Sequence, residues 1–226
     1  MQTTRSTRTV AAATAIAALA AAAALVGCAS PASAPAADYD AELAAMMKAS
    51  FHDRGIATVD RLVQDASDAA CSQAMGQPLP AALAERLQQE AAATVRPPAD
   101  GRYIGDWRAG EKLAQNGRGM TWTDKSAAPA DNGANCYNCH QLAPQEISFG
   151  TIGPSLYGYG KQRGVTDLAS ATAKPIIEYT WAKLYNAKSY NACSGMPRFG
   201  AHRLLDDRQM ADVMALLLDP QSPVNR

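Results

Sequence analysis

Cys136-Tyr137-Asn138-Cys139-His140 places two thiols and an imidazole in one short run. Two cysteines at C-x-x-C spacing followed at once by histidine form the attachment signature of c-type haem. The thiols add across the two vinyl groups as thioethers, and the spacing lets His140 rise beneath the porphyrin as the proximal iron ligand. A C-x-x-C redox or zinc pair that happens to precede a histidine is the competing use of the same residues.

A second axial ligand decides what such an iron does. Met196 lies between Gly195 and Pro197 in a stretch without helical period, so no apolar stripe claims its side chain. It is expected to bind the iron opposite His140, favouring the ferrous state and raising the potential. Met210 and Met214 recur at helical spacing and read as packing groups. His202 is the alternative nitrogen ligand and otherwise reads as a solvent-facing turn residue. With both axial positions filled, outer-sphere electron transfer is favoured over catalysis at the iron. No nucleophile, base and orienting group converge elsewhere in the sequence.

The N-terminus points out of the cytoplasm. Arg5 and Arg8 precede an Ala-rich apolar run from Val10 to Val26, and no acidic residue occurs before Asp38. This is the pattern of a secretory signal, expected over residues 1–27. Leu25-Val26-Gly27-Cys28 resembles a bacterial lipoprotein cleavage box, which would make a lipidated Cys28 the first mature residue and anchor it to a membrane. Ordinary cleavage within Ala32–Ala37 would instead discard Cys28. Residues 28–37 read as a small-residue tether, and the expected compartment is the periplasm.

Composition narrows the rest. Lys+Arg and Asp+Glu both number 21 in 226 residues, so no net field draws the chain to nucleic acid. Three histidines leave little for a multihaem array, and one covalent haem c is expected. Of five cysteines, Cys28 is lipidated or removed and Cys136 and Cys139 are consumed by haem, leaving Cys71 and Cys193 in an oxidising compartment. A Cys71–Cys193 disulfide is the simplest outcome; two buried free thiols, or a reactive or iron-ligating Cys193, are the others.

The elements that must position these residues read as all-α. Residues 38–100 form a helical extension: Leu43, Met46 and Met47 share one side of a first helix, Ile56, Val59, Leu62 and Val63 repeat at helical spacing in a second, and a third runs from Pro80 to about Thr94. His52 reads as a surface residue. Residues 101–226 form the haem domain. Asp106 caps a helix to about Gln115, with Gly110 offering a bare spot for a close helix crossing. A middle helix from Pro175 presents Ile177, Trp181 and Leu184. Asp206 opens a last helix with capping-box spacing to Gln209. Two terminal helices packed across each other are the frame of a class I cytochrome c. The Gly- and Asn-rich loop from Asn116 to Cys136 is an insertion in that frame, with Met120 and Trp122 as lid or packing groups.

In class I cytochromes a proline placed as Pro154 is, in Gly153-Pro154-Ser155-Leu156, gives its carbonyl to the Nδ1 proton of the haem histidine; a turn proline is the plainer alternative. Several further runs are specific: Gly105-Asp106-Trp107, Gly117 to Trp122, Tyr159-Gly160-Lys161, Cys193 to Gly200 and Ala211 to Pro220. In this order, with the long loop before the haem motif, they resemble the SoxX family, monohaem cytochrome c subunits of thiosulfate-oxidising SoxAX complexes. The resemblance implies electron transfer beside a SoxA-type subunit that carries the catalytic haem. That partner joins thiosulfate oxidatively to a cysteine of a SoxYZ-type carrier, and a small cytochrome c accepts the electrons. The extension and the lipid box depart from that pattern. A free-standing carrier cytochrome is the second function class and a haem-based sensor the third. If Met196 binds iron, the loop from Lys188 to His202 flanks the haem edge, with Arg198 and Phe199 near a docking face and Lys161 and Arg163 on a basic rim.

Overall fold

The computed structural model describes residues 38–147 and 149–226; the expected signal, tether and Cys28 lie outside them. Seven α-helices and four short 3-10 turns account for the regular structure, with no strand among the described residues. The fold class is all-α, as the periodicity predicts. The described residues divide into two units, 38–50 and Phe51–Arg226.

In the first unit, α1 (Tyr39–Ser50) starts where the Asp38 carboxylate accepts from the backbone N–H of Ala41. None of its residues is buried, and Leu43 and Met46 stand exposed.

The second unit begins with a correction. Residues 56–63 do not form an α-helix: Arg54 and Ala57 pair in an isolated bridge around Gly55, and only Val59–Leu62 makes a 3-10 turn. The helical spacing of Ile56, Val59, Leu62 and Val63 is overridden by polar contacts. The Asp53 carboxylate takes the Val59 N–H, and Arg61 donates to the carbonyls of Ile56 and Met120. The helix forms later, as α2 (Ala66–Gln73), once Asp65 supplies an N-cap by accepting from the N–H of Asp68. His52 is exposed, just beyond the end of α1. Next, α3 (Ala81–Ala92) follows Pro80 and buries Leu87.

The frame around the core follows from its caps. Helix α4 (Trp107–Ala114) is capped by Asp106, which accepts from the N–H of Arg108. A single turn, α5 (Tyr159–Gln162), leads to α6 (Lys174–Tyr185), which buries Ile177, Thr180, Trp181 and Leu184. In α7 (Asp207–Leu218) the Asp206–Gln209 capping box is complete, and every residue from Met210 to Leu218 is buried. Met210 and Met214 are therefore core groups.

The α4–α7 crossing is the most extensive helix–helix contact in the fold. A Cβ on Gly110 would lie 2.1 Å from the carbonyl oxygen of Asp212, so only a glycine allows the approach. Asp212, buried within the otherwise apolar run Met210–Leu218, accepts from the Asp106 N–H at 2.7 Å. Its charge thus meets a backbone donor at the crossing rather than hydrocarbon.

Candidate functional site

Local backbone geometry builds the C-x-x-C-H site. Asn135 adopts a left-handed conformation (φ 52°) and starts a 3-10 turn over Cys136–Asn138. The His140 N–H then donates to the Cys136 carbonyl at 2.9 Å. The following loop folds back on this turn, with Gly150 N–H bonded to Tyr137 and Gly153 N–H to Cys139. Pro154 falls beside the histidine ring, its carbonyl oxygen 2.6 Å from Nδ1 of His140. The expected contact is present, and with Nδ1 as donor it leaves Nε2 free to bind a metal.

Gly153 makes this approach possible. A Cβ there would stand 2.2 Å from Cε1 and 2.5 Å from Nδ1 of His140.

Cys136, Cys139, His140 and Met196 all line one cavity of about 840 Å³. Its inner wall is core hydrocarbon, including Leu142, Leu184, Phe199, Val213 and Leu217. Close-packed interiors tolerate few voids larger than a water, whereas ligand cavities span about 300–1,000 Å³. The donor set agrees with the volume: two unpaired thiols, an oriented imidazole and a thioether share one apolar chamber. These residues fit a covalently held haem. Burial pushes the Cys136 thiol up to about 12, an environment suited to a neutral thioether rather than a metal thiolate. Among the described residues no cluster of three or more His, Cys, Asp or Glu could hold a metal ion.

Polar groups also line the chamber. Tyr159 bonds through its hydroxyl to Thr180 at 3.0 Å, and the Arg163 guanidinium lies 3.6 Å over the Tyr159 ring. Burial raises the Tyr159 phenol above its ordinary value. Lys183 also lines the chamber, and burial lowers its ammonium from the ordinary value.

Other expected residues lie elsewhere. His202 is exposed and absent from the cavity wall. Met120 and Trp122 do not line the cavity either. Arg61 binds the Met120 carbonyl, and Arg54 covers the Trp122 ring at 3.6 Å, so the insertion packs against residues 54–61 instead of closing over the site.

Cys71 and Cys193 are joined as a disulfide, tying α2 to the loop that carries Met196. Around the bridge is a charge cluster that the sequence conceals. Lys188, only 4% exposed, pairs with Asp68 and lies 3.6 Å from Asp65. Arg198 sets Nη1 on Asp65 and Nη2 on Asp68, the latter at 3.3 Å. The Ser67 hydroxyl adds a bond to the Ala192 carbonyl at 2.7 Å.

Burial works to raise the Asp65 carboxyl, but the Asp68 N–H and the Arg198 guanidinium outweigh it and hold the group well below the usual carboxylate range. Although His202 is exposed, partial desolvation beside the cluster, helped by the positive charge of Arg198, lowers its imidazole.

Arg198 and Phe199, expected near a docking face, both have contacts within the fold. Arg198 is committed to α2, and Phe199 is buried against the cavity. The partners lie some 130 positions away along the chain, beyond the reach of any local pattern.

Residues 108–219 match the family model for cytochrome c. An uncharacterized lipoprotein of Aquifex aeolicus (strain VF5) is 39% identical over 138 residues, a stretch covering 61% of this chain and 61% of that protein. The match therefore spans about three fifths of the relative. Among the described residues no helix is long and apolar enough to cross a membrane. The likeness to cytochrome c is thus carried by residues 108–219, the stretch that holds the C-x-x-C-H run and Met196.

Proposed function

We propose that this chain is an exported, lipid-anchored cytochrome c that takes electrons from a SoxA-type catalytic subunit in a periplasmic thiosulfate-oxidising complex. The observation that carries the electron-transfer part is the shared cavity of Cys136, Cys139, His140 and Met196 within a cytochrome c domain. Bound there, haem c supplies a one-electron iron couple.

The chain's residues supply the rest. Cys136 and Cys139 would retain the group covalently, His140 would bind it through Nε2 while Pro154 holds Nδ1, and Met196 would offer a second ligand that favours the reduced state. Leu142, Leu184 and Phe199 would set hydrocarbon against the bound group, which would limit the solvent reorganisation of a redox change. Cys28 as the lipidated residue is supported by its cleavage-box sequence and by a lipoprotein relative.

The order of motifs from Gly105 to Pro220 supports the SoxX-like role. Coupling thiosulfate to a carrier thiol forms one sulfur–sulfur bond and releases a proton and two electrons, which leave through this chain one at a time. A SoxYZ-type carrier would meet the catalytic subunit, and a small cytochrome c would accept the electrons.

Two measurements test this. Met196→Ala should keep the covalent haem but lose the far-red sulfur-to-iron charge-transfer band; survival of that band would assign the ligand elsewhere. Purification from the native membrane should bring down a second haem subunit, and thiosulfate plus carrier should reduce this chain only in its presence. A chain that purifies alone and is indifferent to thiosulfate would be a free-standing carrier.

A further inference from the structure

The Met196 loop has little of its own to hold it in place. From Asn191 to Met196 its internal bonds are Ser194 N–H to Asn191, Cys193 N–H to the Asn191 side chain at 3.1 Å, and Met196 N–H to the Ser194 hydroxyl at 3.3 Å. Gly195 has no neighbour within 4 Å of where a Cβ would stand. The disulfide fixes Cys193, three residues before the methionine. Beyond it and the Ser67 hydroxyl on the Ala192 carbonyl, the restraint comes from Lys188 and Arg198, which bracket the loop and both turn toward α2.

We propose that Asp65 and Asp68 are positioning residues for the second axial ligand: by holding Arg198 and Lys188 they keep Met196 in the cavity, so that a helix N-terminal to the cytochrome c domain controls iron ligation. The inference rests on Met196 being that ligand.

The asymmetry of burial gives the mechanism. Exposed ion pairs contribute little, but here the two cations are the sheltered members, with side-chain exposures of 5% for Lys188 and 17% for Arg198. Removing the carboxylate charge leaves two cations desolvated without partners, a costly state that is relieved when they reach water. Both flank the loop directly, so the loop moves with them. Helix α2 stays in place, because asparagine at position 65 still caps its N-terminus.

The experiment uses the full-length protein with covalent haem and carbon monoxide, which binds ferrous iron only after the methionine leaves. Asp65→Asn/Asp68→Asn should speed carbon monoxide association about tenfold or more and weaken the ferric far-red band. Asp68→Glu, which keeps the charge, should restore much of both. Asp206→Ala serves as a control for general destabilisation, since it removes the α7 capping box without touching the cluster, and should stay within about twofold of wild type.

An unchanged rate in the double variant overturns the proposal, as does an equal rise in Asp206→Ala. Should the double variant fail to fold, Asp68→Asn alone carries the same prediction with a smaller rise. Met196→Ala separates the underlying reading: if it binds carbon monoxide no faster than wild type, methionine ligation itself fails, and the proposal with it.

Discussion

Replacing Gly153 by alanine sets one methyl group against the ring of His140. The new Cβ would lie 2.2 Å from Cε1, 2.5 Å from Nδ1 and 2.8 Å from Nε2. Carbon atoms settle at about 3.5 Å or more, so ring and loop must part by roughly 1.3 Å. A retreat of that size breaks the 2.6 Å contact between Nδ1 and the Pro154 carbonyl, because hydrogen bonds fade beyond about 3.2 Å. Overpacking of this kind costs about 1–3 kcal/mol, and the lost bond about 1 kcal/mol. The holoprotein should therefore lose roughly 2–4 kcal/mol.

Gly195→Ala provides the matched control, since its Cβ would meet nothing within 4 Å. Both variants and the wild type would be unfolded in guanidinium, following the haem absorption and far-ultraviolet circular dichroism together. A Gly153→Ala loss within about 0.5 kcal/mol of the Gly195→Ala value would refute the reasoning, showing that the ring is not held against this loop.

Opening the Cys71–Cys193 bridge, by Cys71→Ser/Cys193→Ser, frees a loop with a sequence separation of 122. On the chain-entropy account this costs up to about 5 kcal/mol, read as a shift of the denaturation midpoint, with a loss under about 1 kcal/mol contradicting it. Thiol counting on denatured holoprotein should find neither Cys71 nor Cys193 free. The depressed Asp65 carboxyl makes its share of stability pH-dependent with a defined sign. That share is fully present above the unfolded value of about 4 and is lost as pH falls through the lower folded value. Wild type should thus lose more stability than Asp65→Asn on acidification below about pH 4, measured by urea midpoints; parallel curves would contradict the assignment.

Sequence by itself determined the features whose physics is local. The C-x-x-C-H spacing is a property of five consecutive residues, and the caps at Asp106 and Asp206 act within a few positions. Apolar periodicity suffices for α4, α6 and α7, and for assigning Met210 and Met214 to packing. Gly195-Met196-Pro197 stands out because that stretch has no period to explain a methionine. For the disulfide the cysteine count suffices, since Cys71 and Cys193 are left over once the others are assigned.

Tertiary structure alone decided what depends on distant partners. Residues 56–63 carry a helical pattern, yet Arg61 and Asp53 find better partners in nearby carbonyls and amides than a helix would offer. Arg198 looks like a surface charge until α2 delivers Asp65 and Asp68 to its two guanidinium nitrogens, and Lys188 looks solvated until the same carboxylates allow its burial. Asp212 reads as an interruption in an apolar helix until the crossing with α4 supplies its donor. A charge is affordable inside a protein only where a counter-charge or a free N–H is waiting. Where that partner waits is set by how the helices pack, and no pattern within a few residues of the charge records it.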